Sequence, residues 1–171
     1  VLRIEAPTRP DMVRVMPPFD EQGLSAAHGS LNRNKGSLVV DLKTPQGVEI
    51  IKKLIQEYDI VVEQFRPNVM ARLGLGYEDL KVINPRLIYC AVTGYGQQGV
   101  YQNRAGHDLN YLAIAGVLDY TGRKDTGPMP LPIQAADITG GLYAVTGILA
   151  AVIHRQQTGQ GQFIDISLTD A

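Results

Sequence analysis

Tryptophan is absent from the 171 residues, and cysteine, phenylalanine and histidine are scarce at one, three and three. The lone Cys90 excludes an internal disulfide. Its place in the apolar run Leu87-Ile88-Tyr89-Cys90-Ala91-Val92 is that of a core thiol, not a nucleophile, which favours a reducing, cytoplasmic setting. Neither sign of charge is in excess: 16 Lys plus Arg against 17 Asp plus Glu give a formal net charge of -1. The basic footprint of a nucleic-acid or membrane-surface binder is therefore missing. Long apolar runs are missing too. Leu142 to Ile153 is the longest and is broken by Tyr143, Thr146 and Gly147, so no transmembrane helix is expected. No metal site is expected either.

What is present is the composition of a globular protein, 44% hydrophobic and 19% charged, at a length that suits one compact unit. The chain opens on Val1-Leu2-Arg3-Ile4-Glu5, which reads as a strand already under way, and stops at Asp170-Ala171 after another strand. Residues 1–171 are therefore expected to form a partial N-terminal domain of a longer protein.

Pro7 to Asn34 lacks any helix or strand period and reads as loop. Ser37 to Leu42 is apolar and β-branched enough for a buried strand; Thr44 then caps a helix with Pro45 in its first position and Val48, Ile51, Leu54 and Ile55 as one apolar stripe. Asp59 to Glu63 is the next strand. The strand, helix, strand order predicts a parallel pair joined by a right-handed crossover, hence an α/β fold. Short helices are expected near Pro67–Leu73 and Tyr77–Ile83, a strand over Arg86–Thr93, and a flexible loop over Gly94–Gly99. A helix over His107–Gly116 and a connection over Thr121–Pro132 follow. Ile138 to Gln157 is apolar almost all round and reads as a buried central helix stopped at Thr158-Gly159, with a last strand over Gln162–Leu168.

Gly94-Tyr95-Gly96-Gln97-Gln98-Gly99 has the G-x-G-x-x-G spacing after a strand, but Val100 to Arg104 lacks the periodicity of the helix whose N-terminus would hold a pyrophosphate. A dinucleotide site is not indicated. Of the histidines, His28 lies in a polar stretch and His154 in the last turn of a helix, where its charge complements the dipole. His107 differs, sitting in Gly106-His107-Asp108 at a loop-to-helix junction where a small residue permits close approach of a ligand. Asp137 reads as an N-cap, yet Gly140 and Gly141 follow within a turn, against helix propensity, and suggest close packing by a ligand or another chain. Arg33, Lys35, Lys43, Arg66 and Arg72 lie near strand ends, where parallel sheets collect ligands such as phosphates.

Several of these segments together resemble the class III CoA-transferase family, which includes the α-methylacyl-CoA racemases. They are Lys35 to Lys43, Glu63-Gln64-Phe65-Arg66-Pro67 with Arg72-Leu73-Gly74, Asn84 to Tyr89, Gly94 to Gln97, Ala105 to Ala113, Ala136-Asp137, and Thr158 to Gln162 with Asp165. The resemblance implies a Rossmann-like, doubly wound large domain with a parallel sheet, and an interlocked homodimer acting on acyl-CoA, with CoA as part of the substrate and no separate cofactor. It implies CoA contacts at Val40, Asp41, Leu42, Lys43, Gln64, Phe65, Arg66 and Arg72, and a thioester site lined by Gly106, Asp108, Leu109, Asn110 and Tyr111. Ala6 stands where racemases often carry an arginine before the proline that ends the first strand.

Within the family, transferases more often carry an aromatic residue at the position of His107, whereas racemases carry the Gly-His-Asp and Asn-Tyr found here. The resemblance thus implies His107 and Asp137 as catalytic groups on opposite faces of an α-carbon, one removing a proton and the other returning it. Backbone N–H groups near Asp137 and the loop Gly94–Gly99 are candidates for holding the enolate oxygen. The alternatives are CoA transfer between carboxylic acids through Asp137 anhydride and thioester intermediates, and a CoA-binding or dimer-forming piece without turnover.

Overall fold

Short β-branched and apolar runs form the strands, and every pairing between them is parallel. The computed structural model describes all residues, Val1–Ala171. They fall into two compact units, Val1–Ile51 and Lys52–Ala171, where the length suggested one. The reason lies in the strand pairing: no ladder joins the sheet of one unit to that of the other.

In the first unit β1 (Leu2–Glu5) pairs with β2 (Gly36–Val39). The expected pairing of the Ser37 strand with the Asp59 strand is not made; each finds a different parallel neighbour. The connection between β1 and β2 also departs from a plain loop. Ser25 accepts the backbone N–H of His28 at 3.2 Å and caps a helix, α1 (Ala26–Leu31), and a 3-10 turn spans Met12–Val15. Local capping chemistry starts α1 where no apolar period marked it. Buried Glu5 is held by Arg14 through two bonds, 2.6 Å from Nη2 and 3.0 Å from Nε. Below β2, Thr44 accepts the Gly47 N–H at 3.0 Å and α2 (Pro45–Leu54) begins at Pro45, as the sequence predicts.

The second unit is a three-stranded parallel sheet in the order β3 (Ile60–Glu63), β4 (Ile88–Thr93), β5 (Phe163–Ser167). The central β4 and Leu87 just before it form the core: Leu87, Ile88 and Cys90 are fully buried, with Tyr89 and Ala91 almost so. Burial pushes the Cys90 thiol up to about 11, with Glu63 and Asp165 adding to the shift, so it is an inert core thiol. On one face of the sheet Tyr89 and Phe163 meet Tyr77 of α4 (Tyr77–Leu80), which follows α3 (Val69–Arg72). The other face takes α6 (Ala135–Thr158).

How α6 packs corrects the expectation of a buried helix. Its buried positions are Ala136, Gly140, Ala144 and Ala151, a stripe of small residues at helical spacing that lets the backbone lie close to the sheet. A side chain at Gly140 would run into Leu168, and a Cβ at Gly147 would stand 3.0 Å from Ile164 Cγ2. The large apolar residues Ile138, Leu142, Tyr143, Val145, Leu149 and Ile153 are instead exposed. By length and hydropathy alone α6 could cross a membrane, a property shared by core helices of soluble proteins. Arg155 fixes its far end, reaching the Asp59 carboxylate at 2.9 Å and the Arg86 carbonyl at 3.2 Å. Gly159, at φ +76°, ends the helix as expected.

Candidate active site

Parallel strands leave their C-terminal ends to loops, and the candidate residues of the second unit gather there. After β4 the chain enters Gly94–Gly99, which is tied down and not free. Gly94 carbonyl accepts from Thr169 Oγ1 at 2.7 Å, and the Gln97 N–H reaches Asp165 Oδ2 at 2.9 Å. No helix begins over Val100–Arg104 directly after Gly99, consistent with the weak case for a dinucleotide fingerprint.

The loop ends at Gly106, where α5 (Asp108–Ile114) begins with His107 as its N-cap residue. The cap bond there runs from the His107 backbone N–H to Asn110 Oδ1 at 3.0 Å, and the imidazole takes no part in it. That leaves the exposed ring free for other work. Tyr111 is buried behind the site, its hydroxyl donating to the Gly106 carbonyl at 2.6 Å. One of the residues expected at the thioester site, it braces the backbone next to His107.

His107, Asp108 and Leu109 line a cavity of about 350 Å³ together with Leu131, Gln134 and Asp137. Asp137 is not the N-cap of α6; Gln134 is, and Asp137 is the third residue of the first turn. Cavity walls desolvate the Asp137 carboxyl and raise its pKa; the neighbouring Asp108 adds to the rise and His107 opposes it. A carboxyl so placed is a stronger base and nucleophile than a free one. Apolar Leu109 and Leu131 beside three ionisable groups suit a ligand with a reacting polar end and an apolar body.

The N–H groups beside Asp137 expected to hold an enolate oxygen are occupied. Asp108 Oδ1 accepts from Ala136 N at 2.7 Å and Asp137 N at 3.2 Å. Asp108, expected to line the thioester site, lines the cavity and also caps α6 from the head of α5. Its spacing in sequence from Asp137 gave no sign of this bond. Gly140 is likewise explained within the chain, by Leu168, and nothing lies within 4 Å of a Cβ at Gly141.

The residues expected to hold CoA sit at strand ends in each unit. In the first unit, Val40 is buried just beyond β2, and Asp41, Leu42 and Lys43 form the turn into α2, with Asp41 Oδ1 accepting the Lys43 N–H at 2.9 Å. In the second, Gln64, Phe65 and Arg66 lie exposed after β3, and Arg72 closes α3. A second cavity, about 230 Å³, lies beside them and is lined by Glu63, Tyr77, Tyr89, Gln97 and Phe163. Burial raises the Glu63 carboxyl pKa there, against the bond it accepts from Phe65 N at 2.7 Å. No group of three or more His, Cys, Asp or Glu side chains is arranged to hold a metal.

Comparison with known proteins agrees with the parallel α/β fold. CoA-transferase family III matches residues 1–171, and the chain belongs to that family. It is 43% identical to the succinate–glutarate CoA-transferase of Agrobacterium fabrum over 99% of this chain and 44% of that protein. Human succinyl-CoA:glutarate CoA-transferase is 40% identical over 98% of this chain and 38% of its own length. Human alpha-methylacyl-CoA racemase is 45% identical, over 82% of this chain and 37% of its own length. Among solved structures, a CAIB/BAIF family protein from Brucella suis superposes with a TM-score of 0.92 at 40% identity, covering 99% of this chain and 46% of that one. The chain therefore spans less than half the length of these relatives.

Proposed function

We propose that the protein carrying this chain transfers CoA between carboxylic acids, with Asp137 as the carboxylate that accepts the acyl group. The observation that carries the reading is the raised, cavity-facing Asp137 in a chain whose relatives matched over 98–99% of its length include two glutarate CoA-transferases. In this chemistry the Asp137 carboxylate attacks the thioester carbonyl, the C–S bond breaks, and CoA leaves as thiolate from a mixed anhydride. The thiolate then attacks the Asp137 carbonyl, releasing the first acid and leaving an aspartyl thioester. A second carboxylate attacks that thioester to form a new anhydride. CoA returns to its acyl carbon, and Asp137 is free again. Several relatives have succinyl-CoA in their names, which makes it the first donor to assay.

A specific observation favours a second reading, inversion of the α-carbon of a 2-methylacyl-CoA. His107 lines the same cavity as Asp137 with its ring unused by the helix cap, and two acid/base groups at one cavity are what a two-base exchange requires. Asp137 reacts in both readings. On either, CoA enters as part of the substrate with no separate cofactor, its expected contacts being Val40, Asp41, Leu42 and Lys43 in the first unit and Gln64, Phe65, Arg66 and Arg72 in the second. We place the enzyme in the cytoplasm as a homodimer, with no nucleic-acid or membrane partner.

The test is an assay in deuterated water of wild type, His107→Ala and Asp137→Ala, with succinyl-CoA plus glutarate and separately with a chiral 2-methylacyl-CoA. CoA transfer that persists in His107→Ala and vanishes in Asp137→Ala, with no deuterium entering the α-position, supports the transferase. Deuterium wash-in with epimer exchange, reduced roughly 10²–10⁴-fold in each variant, replaces it with the racemase.

A further inference from the structure

We propose that Asp108 is a positioning residue for Asp137, capping the helix that carries it and setting a second negative charge beside it. The inference rests on the reading of Asp137 as the reacting carboxylate.

The need for such a residue follows from the start of α6. A helix leaves its first four N–H groups without partners, normally relieved by the side chain of its own N-cap residue. Gln134, the N-cap here, makes no such bond. Asp108 Oδ1 takes over from a different helix, accepting the N–H groups of Ala136 at 2.7 Å and of Asp137 at 3.2 Å. A carboxylate at that end also meets the positive pole of α6.

Two consequences follow for the site. Asp108 is the first residue of α5, directly after His107, so one side chain ties the head of the helix that presents His107 to the turn that presents Asp137. Both aspartates also line the same cavity, and the charge of Asp108 makes ionisation of Asp137 harder. The other groups that bear on Asp137 are His107, which opposes Asp108, and buried Tyr111, whose own ionisation Asp137 disfavours. Asp108 thus does two separable things: its oxygen holds the backbone of Asp137, and its charge tunes the side chain.

Asparagine separates them, since it keeps the accepting oxygen and removes the charge; alanine removes both. The carboxyl titration of Asp137 is followed by carbon NMR in the whole protein, wild type and Asp108→Asn, alongside pH profiles of kcat/KM for both and for Asp108→Ala. In Asp108→Asn the Asp137 midpoint is expected to fall and the acid limb of the profile to move to lower pH with it. Asp108→Ala is expected to lose roughly tenfold to a hundredfold in kcat/KM, the scale of a misplaced reacting group, and Asp108→Asn to recover most of that loss. An Asp137 midpoint that stays or rises in Asp108→Asn, or a loss in Asp108→Ala that asparagine does not restore, overturns the proposal. The titration reads Asp137 without turnover. Failure of the underlying reading shows elsewhere, as activity retained by Asp137→Ala.

Discussion

The Tyr111 hydroxyl donates to the Gly106 carbonyl at 2.6 Å, and its ring fills the space that Gly94 and Gly106 leave open. A Cβ at Gly106 would stand 2.6 Å from Tyr111 Cε1 and 2.7 Å from Tyr95 Oη. The Tyr95 and Tyr111 rings pack edge to face at 5.3 Å, so the loop after β4 and the segment that presents His107 are held by one aromatic contact. Neither glycine is needed for a left-handed backbone; close approach alone excludes a side chain.

Tyr111→Phe keeps the ring and loses one hydrogen bond, so a stability loss of about 1 kcal/mol is expected. Gly106→Ala must displace a buried ring and is expected to cost more, about 1–3 kcal/mol. Urea denaturation of both variants checks the order. Equal stabilities would show that the ring yields freely.

Glu5 carries the clearest pH dependence. The Arg14 guanidinium, bonded to it at two points, holds its carboxyl well below the ordinary value of 4.5, at about 2, with the Asp11 N–H and Arg3 contributing in the same direction. A carboxyl whose folded pKa is depressed stabilises the fold above its unfolded pKa and loses that contribution as pH falls through the folded one. Glu5→Gln is therefore expected to lower the denaturation midpoint at neutral pH, with the gap to wild type closing between about pH 4.5 and 2. A gap that is constant across that window would contradict the role given to Arg14.

The adjacent glycines Gly140 and Gly141 of α6 are expected to answer oppositely to alanine. Gly141 has nothing within 4 Å of a Cβ, so Gly141→Ala should gain about 0.5–1 kcal/mol from helix propensity alone. Gly140 faces Leu168, and the same change there sets that gain against overpacking of about 1–3 kcal/mol. Thermal unfolding of the pair tests the packing of α6 on the sheet; a more stable Gly140→Ala would mean that α6 lies further from Leu168.

Much of this was legible from pattern. Apolar runs marked β2 to β5, Thr44-Pro45 marked the start of α2, and Gly159 its counterpart at the end of α6. Strand pairing was not legible, because a parallel strand buried among apolar neighbours carries no mark of which neighbour it takes. Helix α1 escaped because its start is a capping bond from Ser25 and not a hydrophobic period. In α6 the apolar character on every side hid the distinction between small residues, which pack, and large ones, which are exposed. The resemblance paired His107 with Asp137, and both line one cavity, but the bond from Asp108 to the Asp137 backbone depends on how α5 meets α6.

The most direct measurement of the central claim is covalent capture at Asp137. The whole protein is incubated with succinyl-CoA, quenched in acid, digested, and the peptide containing Asp137 is weighed by mass spectrometry. A CoA thioester or a succinyl group on Asp137, removed by hydroxylamine and missing from Asp137→Asn, is the predicted result. CoA transfer that proceeds at full rate with no adduct on that peptide, or in Asp137→Asn, would contradict it.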